Sequence, residues 1–257
     1  MRNIKLTIAF DGADFQGWQR QKSDRTIQGE LENRLQIMTQ GDVSVIGAGR
    51  TDAGVHARGM VASFKTQSRI SCQAFLQGLN SLLPLSIRIL DASEAAADFH
   101  ARFDAQAKTY SYHIDTSKIQ SPHKRLYALH VPASLNLERL QCALEKIVGQ
   151  YDFASFEATG SRDLTLTTGR GSIRTIHKAS LQTQGSHSVI LTFSGDGFLR
   201  HMVRNLVGTL IDVGKGRTSP AEFAHILAAA NRSAAGATAP AHGLFLEAVH
   251  YAPPLLN

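Results

Sequence analysis

Large apolar residues alternate with smaller or polar ones at the start of this chain, with Leu6, Ile8 and Phe10 on one face of Ile4–Phe10. A period of two marks a strand with one dry face and one wet face, which needs a sheet partner and something to cover its apolar side. The same alternation returns in Thr109–Ile114, just after Ala107. Each strand is followed by a helical stripe and then by further short strands. That recurrence predicts an α+β fold of two similar halves with mainly antiparallel sheets, divided into residues 1–105 and 106–257.

The elements between these strands carry local signals of their own. From Ile27, the residues Leu31, Leu35 and Met38 form one stripe ending before Gly41. Val43–Ile46 and Met60–Phe64 read as strands flanking a glycine-rich turn. Ser71 is placed to cap a helix presenting Phe75, Leu76, Leu79 and Leu82, stopped at Pro84, with Ile87–Leu90 as the next strand. In the second half Asn136 caps a helix with Leu137, Leu140, Leu144 and Ile147 inward, ended by Gly149. Ile173–Leu181 and Val189–Phe193 read as an antiparallel pair turning near Gly185. Phe198–Val213 is helical by pattern, and Ser219-Pro220-Ala221-Glu222 is a capping box opening a last helix. Leu244–Tyr251 closes as a strand.

Composition narrows the function. Lys plus Arg number 27 against 21 Asp plus Glu, a formal charge of +6. The first half holds 12 basic and 11 acidic residues and the second 15 and 10, so the excess is concentrated in the second. It includes Arg162, Arg170, Arg174, Lys178, Arg200, Arg204, Lys215 and Arg217, a pattern that suits a phosphate-bearing partner. Cys72 and Cys142 are too few for a disulfide framework. No apolar run reaches the ~20 residues of a membrane span, and Lys5 interrupts the opening apolar stretch, unlike a signal peptide. A soluble, cytoplasmic protein is expected. Eleven histidines form no H-E-x-x-H, so His56, His100 and His201 read as surface or hydrogen-bonded residues. Gly208–Lys215 has the wrong spacing for a phosphate loop, and no G-x-S-x-G elbow is present.

The segment Gly47-Ala48-Gly49-Arg50-Thr51-Asp52-Ala53-Gly54-Val55-His56-Ala57 remains. Its glycines permit an unusual backbone path, and its small side chains leave room for a ligand. Arg50 and Asp52 are two apart, which in an extended stretch puts the guanidinium beside the carboxylate and keeps it ionised. An ionised Asp can serve as nucleophile or base. Read alone, Asp52-Ala53-Gly54 is equally an Asx turn between strands.

The longer string, G-R-T-D-A-G-V-H-A followed by Gly59-Met60-Val61-Ala62-Ser63-Phe64, resembles the signature of the tRNA pseudouridine synthase I family. Phe10-Asp11-Gly12 through Phe15-Gln16-Gly17-Trp18-Gln19 and Thr26–Glu32 resemble its opening. Arg102-Phe103 with Tyr110-Ser111-Tyr112 resembles its central motif. Phe198–Gly208 and Ala237–Leu244 resemble its last two. The resemblance implies isomerisation of uridines 38, 39 and 40 in the anticodon arm of tRNA, with the target base flipped from its stem and with no cofactor or metal. It makes Asp52 the catalytic carboxylate. Arg50 would hold the flipped nucleotide out of its helix, and Arg204 would pair with Asp52. Tyr110 would stack on the base and serve in proton transfer late in the reaction, and Leu244 would line the pocket. The implied fold is two α/β halves with mainly antiparallel sheets meeting at a central active-site cleft, in a homodimer. Whether Asp52 adds to ribose C1′ or to the base stays open. Read one at a time, Tyr110 and Leu244 also suit a core, and Arg204 could snorkel to solvent.

Three positions depart from the family pattern: Met60 in place of the common Gln, Asp104 in place of a small residue, and Lys108 where Arg is frequent. Arg20, Lys22 and Arg25 offer further phosphate contacts. Two rival readings are weighed against the synthase. A non-catalytic RNA-binding or RNA-folding protein on this scaffold would be marked by loss of Asp52 or Tyr110. A nucleoside hydrolase would normally need a second carboxylate, which the loop lacks.

Overall fold

A computed structural model describes residues 1–161 and 169–252. Contacts divide the chain into two compact units: Met1–Gln106 with the segment from Phe245 onward, and Ala107–Leu244.

In the first unit, β1 (Arg2–Phe10) is followed by α1 (Ile27–Thr39), β2 (Val45–Gly47), β3 (His56–Thr66), α2 (Cys72–Leu82) and β4 (Ile87–Ala95). Strand β1 lies between β3 and β4, antiparallel to both, with Leu6 opposite Ala62 and Ala92; β2 pairs antiparallel with β3. The alternation of β1 is realised as Ile4, Leu6 and Ile8, all fully buried. Leu31, Leu35, Phe75 and Leu79 are the buried helical counterparts, and Phe64 meets Phe75 edge to face at 5.3 Å. Thr26 and Ser71 cap α1 and α2 by accepting from the Gly29 and Ala74 amides. Leu82, expected inward, is exposed; α2 ends there, and the extended Leu83 carries its side chain into the core instead.

The second unit runs β5 (Ala107–Asp115), β6 (Leu129–His130), α3 (Leu137–Glu145), β7 (Gly149–Asp152), β8 (Ile173–Gln184), β9 (Ser188–Gly195), α4 (Met202–Gly214) and α5 (Pro220–Ala228). Its sheet follows the order β5-β9-β8-β7, antiparallel throughout, with β6 added parallel to β5. Helix α4 is buried along most of its length, including Leu206, Val207 and Leu210. Asn136 caps α3, and the capping box of Ser219 and Glu222 opens α5 as its sequence requires. Three details differ from expectation. Leu137 is exposed, because the inward face of α3 is carried by Leu140, Ala143 and Leu144. Gly149 opens β7 rather than closing α3. Helix α4 begins at Met202, not Phe198, because His201 adopts the left-handed conformation (φ 61°) at the cap position.

The final strand, β10 (Leu244–His250), was expected with the second half. From Phe245 it belongs with the first unit by contact. It runs parallel to β3, aligning Phe245 with His56 and Leu246 with Ala57.

Candidate active site

Of the five candidate residues, Arg50 and Asp52 belong to the first unit and Tyr110, Arg204 and Leu244 to the second. The loop carrying Asp52 joins β2 to β3, and the opening motif of the chain braces it. The Trp18 amide donates to the Thr51 carbonyl at 3.1 Å, and the Gly54 amide to the Phe15 carbonyl at 3.3 Å. Gly17 stands at φ 85°, and a Cβ there would lie 2.4 Å from the Thr51 oxygen. Only glycine permits that approach. The Gly12 amide donates to Nδ1 of the buried His56 at 3.1 Å, and the His56 ring stacks on Phe245 with centroids 4.6 Å apart. His56 is thus a hydrogen-bonded core histidine.

Asp52 heads a tight turn in which the Val55 amide donates back to its carbonyl at 3.2 Å, with Gly54 at φ 77°. This is a backbone turn, with the Gly54 amide given to the Phe15 carbonyl, and Asp52 stands half-buried at its head. Arg50 is exposed and makes no ion pair among the described residues, so it does not clamp Asp52 as the two-residue spacing suggests. The strand that would align the two side chains has ended at Gly47. Beside them, the buried Thr51 hydroxyl has no hydrogen-bond partner among the described residues.

In the second unit the candidate residues ride on regular elements. Tyr110 sits on β5 opposite Phe193, almost fully buried, with Phe198 edge-on at 5.1 Å. Arg204, on the first turn of α4, is half-buried and donates from Nε to the Ala239 carbonyl at 2.7 Å. Its backbone carbonyl accepts from the Ala239 amide at 3.0 Å, so helix and loop are joined twice. Leu244 is buried where β10 begins.

Two further residues belong to this constellation and escaped the sequence reading. Tyr112 is fully buried and donates its hydroxyl to the Pro240 carbonyl at 2.8 Å. Burial pushes its phenol far up, against the lowering effect of the Arg204 charge. Burial likewise pushes the His242 imidazole down, Arg204 adds to that, and a backbone hydrogen bond at Ala128 opposes it. Ala239 thus holds the Arg204 guanidinium, and Tyr112 and His242 both feel its charge. Tyr112 was visible as the second aromatic of Tyr110-Ser111-Tyr112, and His242 within Ala241-His242-Gly243-Leu244, but nothing local linked either to Arg204.

The residues that depart from the family pattern have structural roles or neutral places. Met60 is fully buried opposite Ile8. The Asp104 carboxylate accepts from the His100 amide at 2.9 Å, closing a turn in which His100 Nδ1 also accepts from Arg102 and Phe103. Lys108 stands on β5 opposite Gly195. Among the basic residues, Arg20 and Arg25 already pair with Glu32 and Glu30 at 3.0 and 2.8 Å. Arg170 pairs with Asp196 at 2.7 Å and Arg217 with Asp212 at 3.4 Å. Arg162 lies outside the described residues.

The chain matches the family profile described as tRNA pseudouridine synthase over residues 6–104 and 143–252. It is 51% identical over 251 residues to "tRNA pseudouridine synthase A 1" of Desulfotalea psychrophila, covering 98% of this chain and 100% of that one. It is 45% identical over 251 residues to the tRNA pseudouridine synthase A of Geotalea daltonii, with the same coverage. With that of Lacticaseibacillus casei it shares 42% over 253 residues, again covering 98% and 100%.

Proposed function

The chain belongs to the tRNA pseudouridine synthase family, and from that premise we propose that it converts uridines 38, 39 and 40 of the tRNA anticodon arm to pseudouridine, with Asp52 as nucleophile acting on a flipped-out nucleotide. Its reaction is the isomerisation of uridine in tRNA. The bond from ribose C1′ to N1 breaks, uracil turns, and C1′ joins C5; the proton leaves C5 and N1 gains one, so nothing is oxidised or reduced. Asp52 supplies the carboxylate and Tyr110 the aromatic face that replaces lost stacking. Arg50, Arg204 and Leu244 are the further residues of the site, Leu244 as lining.

The observation that carries this reading is the Asp52 turn. A half-buried Asp on a backbone braced by Gly17, Trp18 and Phe15 supports this reading, because a fixed backbone limits where its carboxylate can stand. The family resemblance also leads us to expect a homodimer acting in the cytoplasm, the former checked by light scattering.

The test is tritium release from tRNA labelled at uridine C5, comparing the wild type with Asp52→Asn. Release by the wild type alone supports both the isomerase and its nucleophile. Release by both proteins removes Asp52 from the mechanism. Release by neither, with tRNA still bound, leaves an RNA-binding module.

A further inference from the structure

Within the second unit, between the loop leading into α4 and the segment after α5, lies an open cavity of about 550 Å³. Asp52, Tyr110, Arg204 and Leu244 are not among the residues lining it. That volume is within the range of small-ligand sites and suits a nucleotide unit better than a lone ion.

Its chemistry has one sign. Arg200 and Arg232 line it together with the hydroxyl-bearing Thr159, Ser233 and Thr238, and among the described residues none that lines it is acidic. Arg200 is exposed and makes no ion pair or side-chain hydrogen bond among the described residues. It therefore differs from Arg170 and Arg217, whose charges are met by carboxylates. Arg232 is oriented rather than neutralised: its guanidinium donates to the Ala235 carbonyl, to Asn205 Oδ1 at 3.2 Å and to Thr238 Oγ1 at 3.1 Å. None of these acceptors is charged, so its positive charge remains.

The walls are prebuilt. Fully buried Asn205 accepts from both Arg232 and Thr238 and donates to the Phe156 carbonyl at 2.8 Å. The Gly236 amide is held by Thr209 Oγ1 at 3.0 Å. At Gly208 a Cβ would fall 1.7 Å from the Ala237 oxygen, so the absence of a side chain there lets the segment lie directly on α4. Alanines and Gly236 keep the lining low and leave the space to a ligand.

We propose that this cavity holds a backbone phosphate of the tRNA and its attached ribose, with Arg200 as the principal contact and Arg232 as a fixed secondary charge. The proposal rests on the tRNA synthase reading. A guanidinium with no carboxylate partner gains by displacing counterions from a phosphodiester. Three residues separate Arg200 from Arg204, so a phosphate anchored here would set where the substrate strand lies along the second unit.

The experiment measures tRNA binding across a salt series, with tritium release in parallel, for the wild type, Arg200→Ala, Arg200→Lys and Lys146→Ala. Lys146 is an exposed cation at the end of α3, outside the cavity. Arg200→Ala is expected to weaken binding about fivefold to tenfold and to flatten the slope of log K against log salt by about one phosphate contact, roughly 0.7–0.9. KM should rise while kcat at saturating tRNA is unchanged. Arg200→Lys should keep the slope, and Lys146→Ala should match the wild type. Wild-type binding by Arg200→Ala overturns the proposal, as does an equal loss in Lys146→Ala, which would reduce the effect to net charge. If inorganic phosphate raises the melting temperature of the wild type but not of Arg200→Ala, while tRNA binding is the same in both, the cavity serves a small anion and the tRNA assignment falls. Absence of tritium release from the wild type, with the Arg200 salt effect intact, upholds the cavity and defeats the isomerase reading instead.

Discussion

The two units hold their candidate residues by different means. In the first, Asp52 sits on a loop whose shape is set by backbone meeting backbone: amides of Trp18 and Gly54, carbonyls of Thr51 and Phe15, and a glycine where no side chain fits. In the second, Tyr110 and Arg204 are carried by a strand and a helix, and side chains such as Tyr112 fasten the neighbouring segment. A backbone-built site tolerates changes of side chain but not of glycine. A side-chain-built site divides its stability among several groups, each worth little alone.

That contrast can be broken in order of expected effect. Asp52→Asn keeps the turn and removes the charge. Activity should fall about 10⁴-fold or more with an unchanged melting temperature, and a large drop in stability would show the carboxylate to be structural. Gly17→Ala should cost about 3 kcal/mol in urea unfolding, because a positive φ and a backbone clash act together. A loss within experimental error would mean the brace is not rigid. In the second unit Tyr112→Phe should cost only about 1–1.5 kcal/mol, the worth of one buried hydrogen bond whose acceptor is left unpaired. Thr51→Val should be neutral or gain up to about 1 kcal/mol, since it removes a buried hydroxyl that has no partner among the described residues.

The contrast is sharpened by pH. His242 is lowered in the folded state by burial and by Arg204, so its neutral form favours folding. That contribution is complete above the ordinary histidine value near 6.5 and is lost as pH falls through the folded value. Melting curves should show an acid-side loss beginning below about pH 6.5 that His242→Gln reduces. Tyr112 and Tyr251 are both raised by burial. Their contributions are complete below about pH 10, the ordinary tyrosine value, and decline as pH rises beyond it.

What the sequence made legible follows the same division. Caps at Ser71, Asn136 and Ser219 are local chemistry, and the structure places each hydrogen bond as expected. The Asp52 loop announced itself through its glycines and its resemblance to the family. The start of α4 was not legible, because apolar periodicity continues through Phe198 while the left-handed His201 interrupts the backbone. Strands β6 and β7 are too short for a period to register. Tyr112 and His242 were hidden for another reason: Tyr112 reaches a carbonyl 128 residues away in sequence, and no local pattern encodes such a partner.

The pairing of β10 with β3 also bears on synthesis. The strand that lies beside His56 and Ala57 leaves the ribosome well after they do. At roughly 5–20 residues per second, it follows β3 by about 10 to 40 s. Throughout that interval one edge of β3 at the end of the Asp52 loop lacks its parallel neighbour and His56 lacks the Phe245 ring that later stacks on it. The nascent first unit is thus a template awaiting β10, open meanwhile to any other extended segment that reaches it. A stalled or shortened chain that stops before Phe245 should be held by chaperones or aggregate, even with every residue of the Asp52 loop in place.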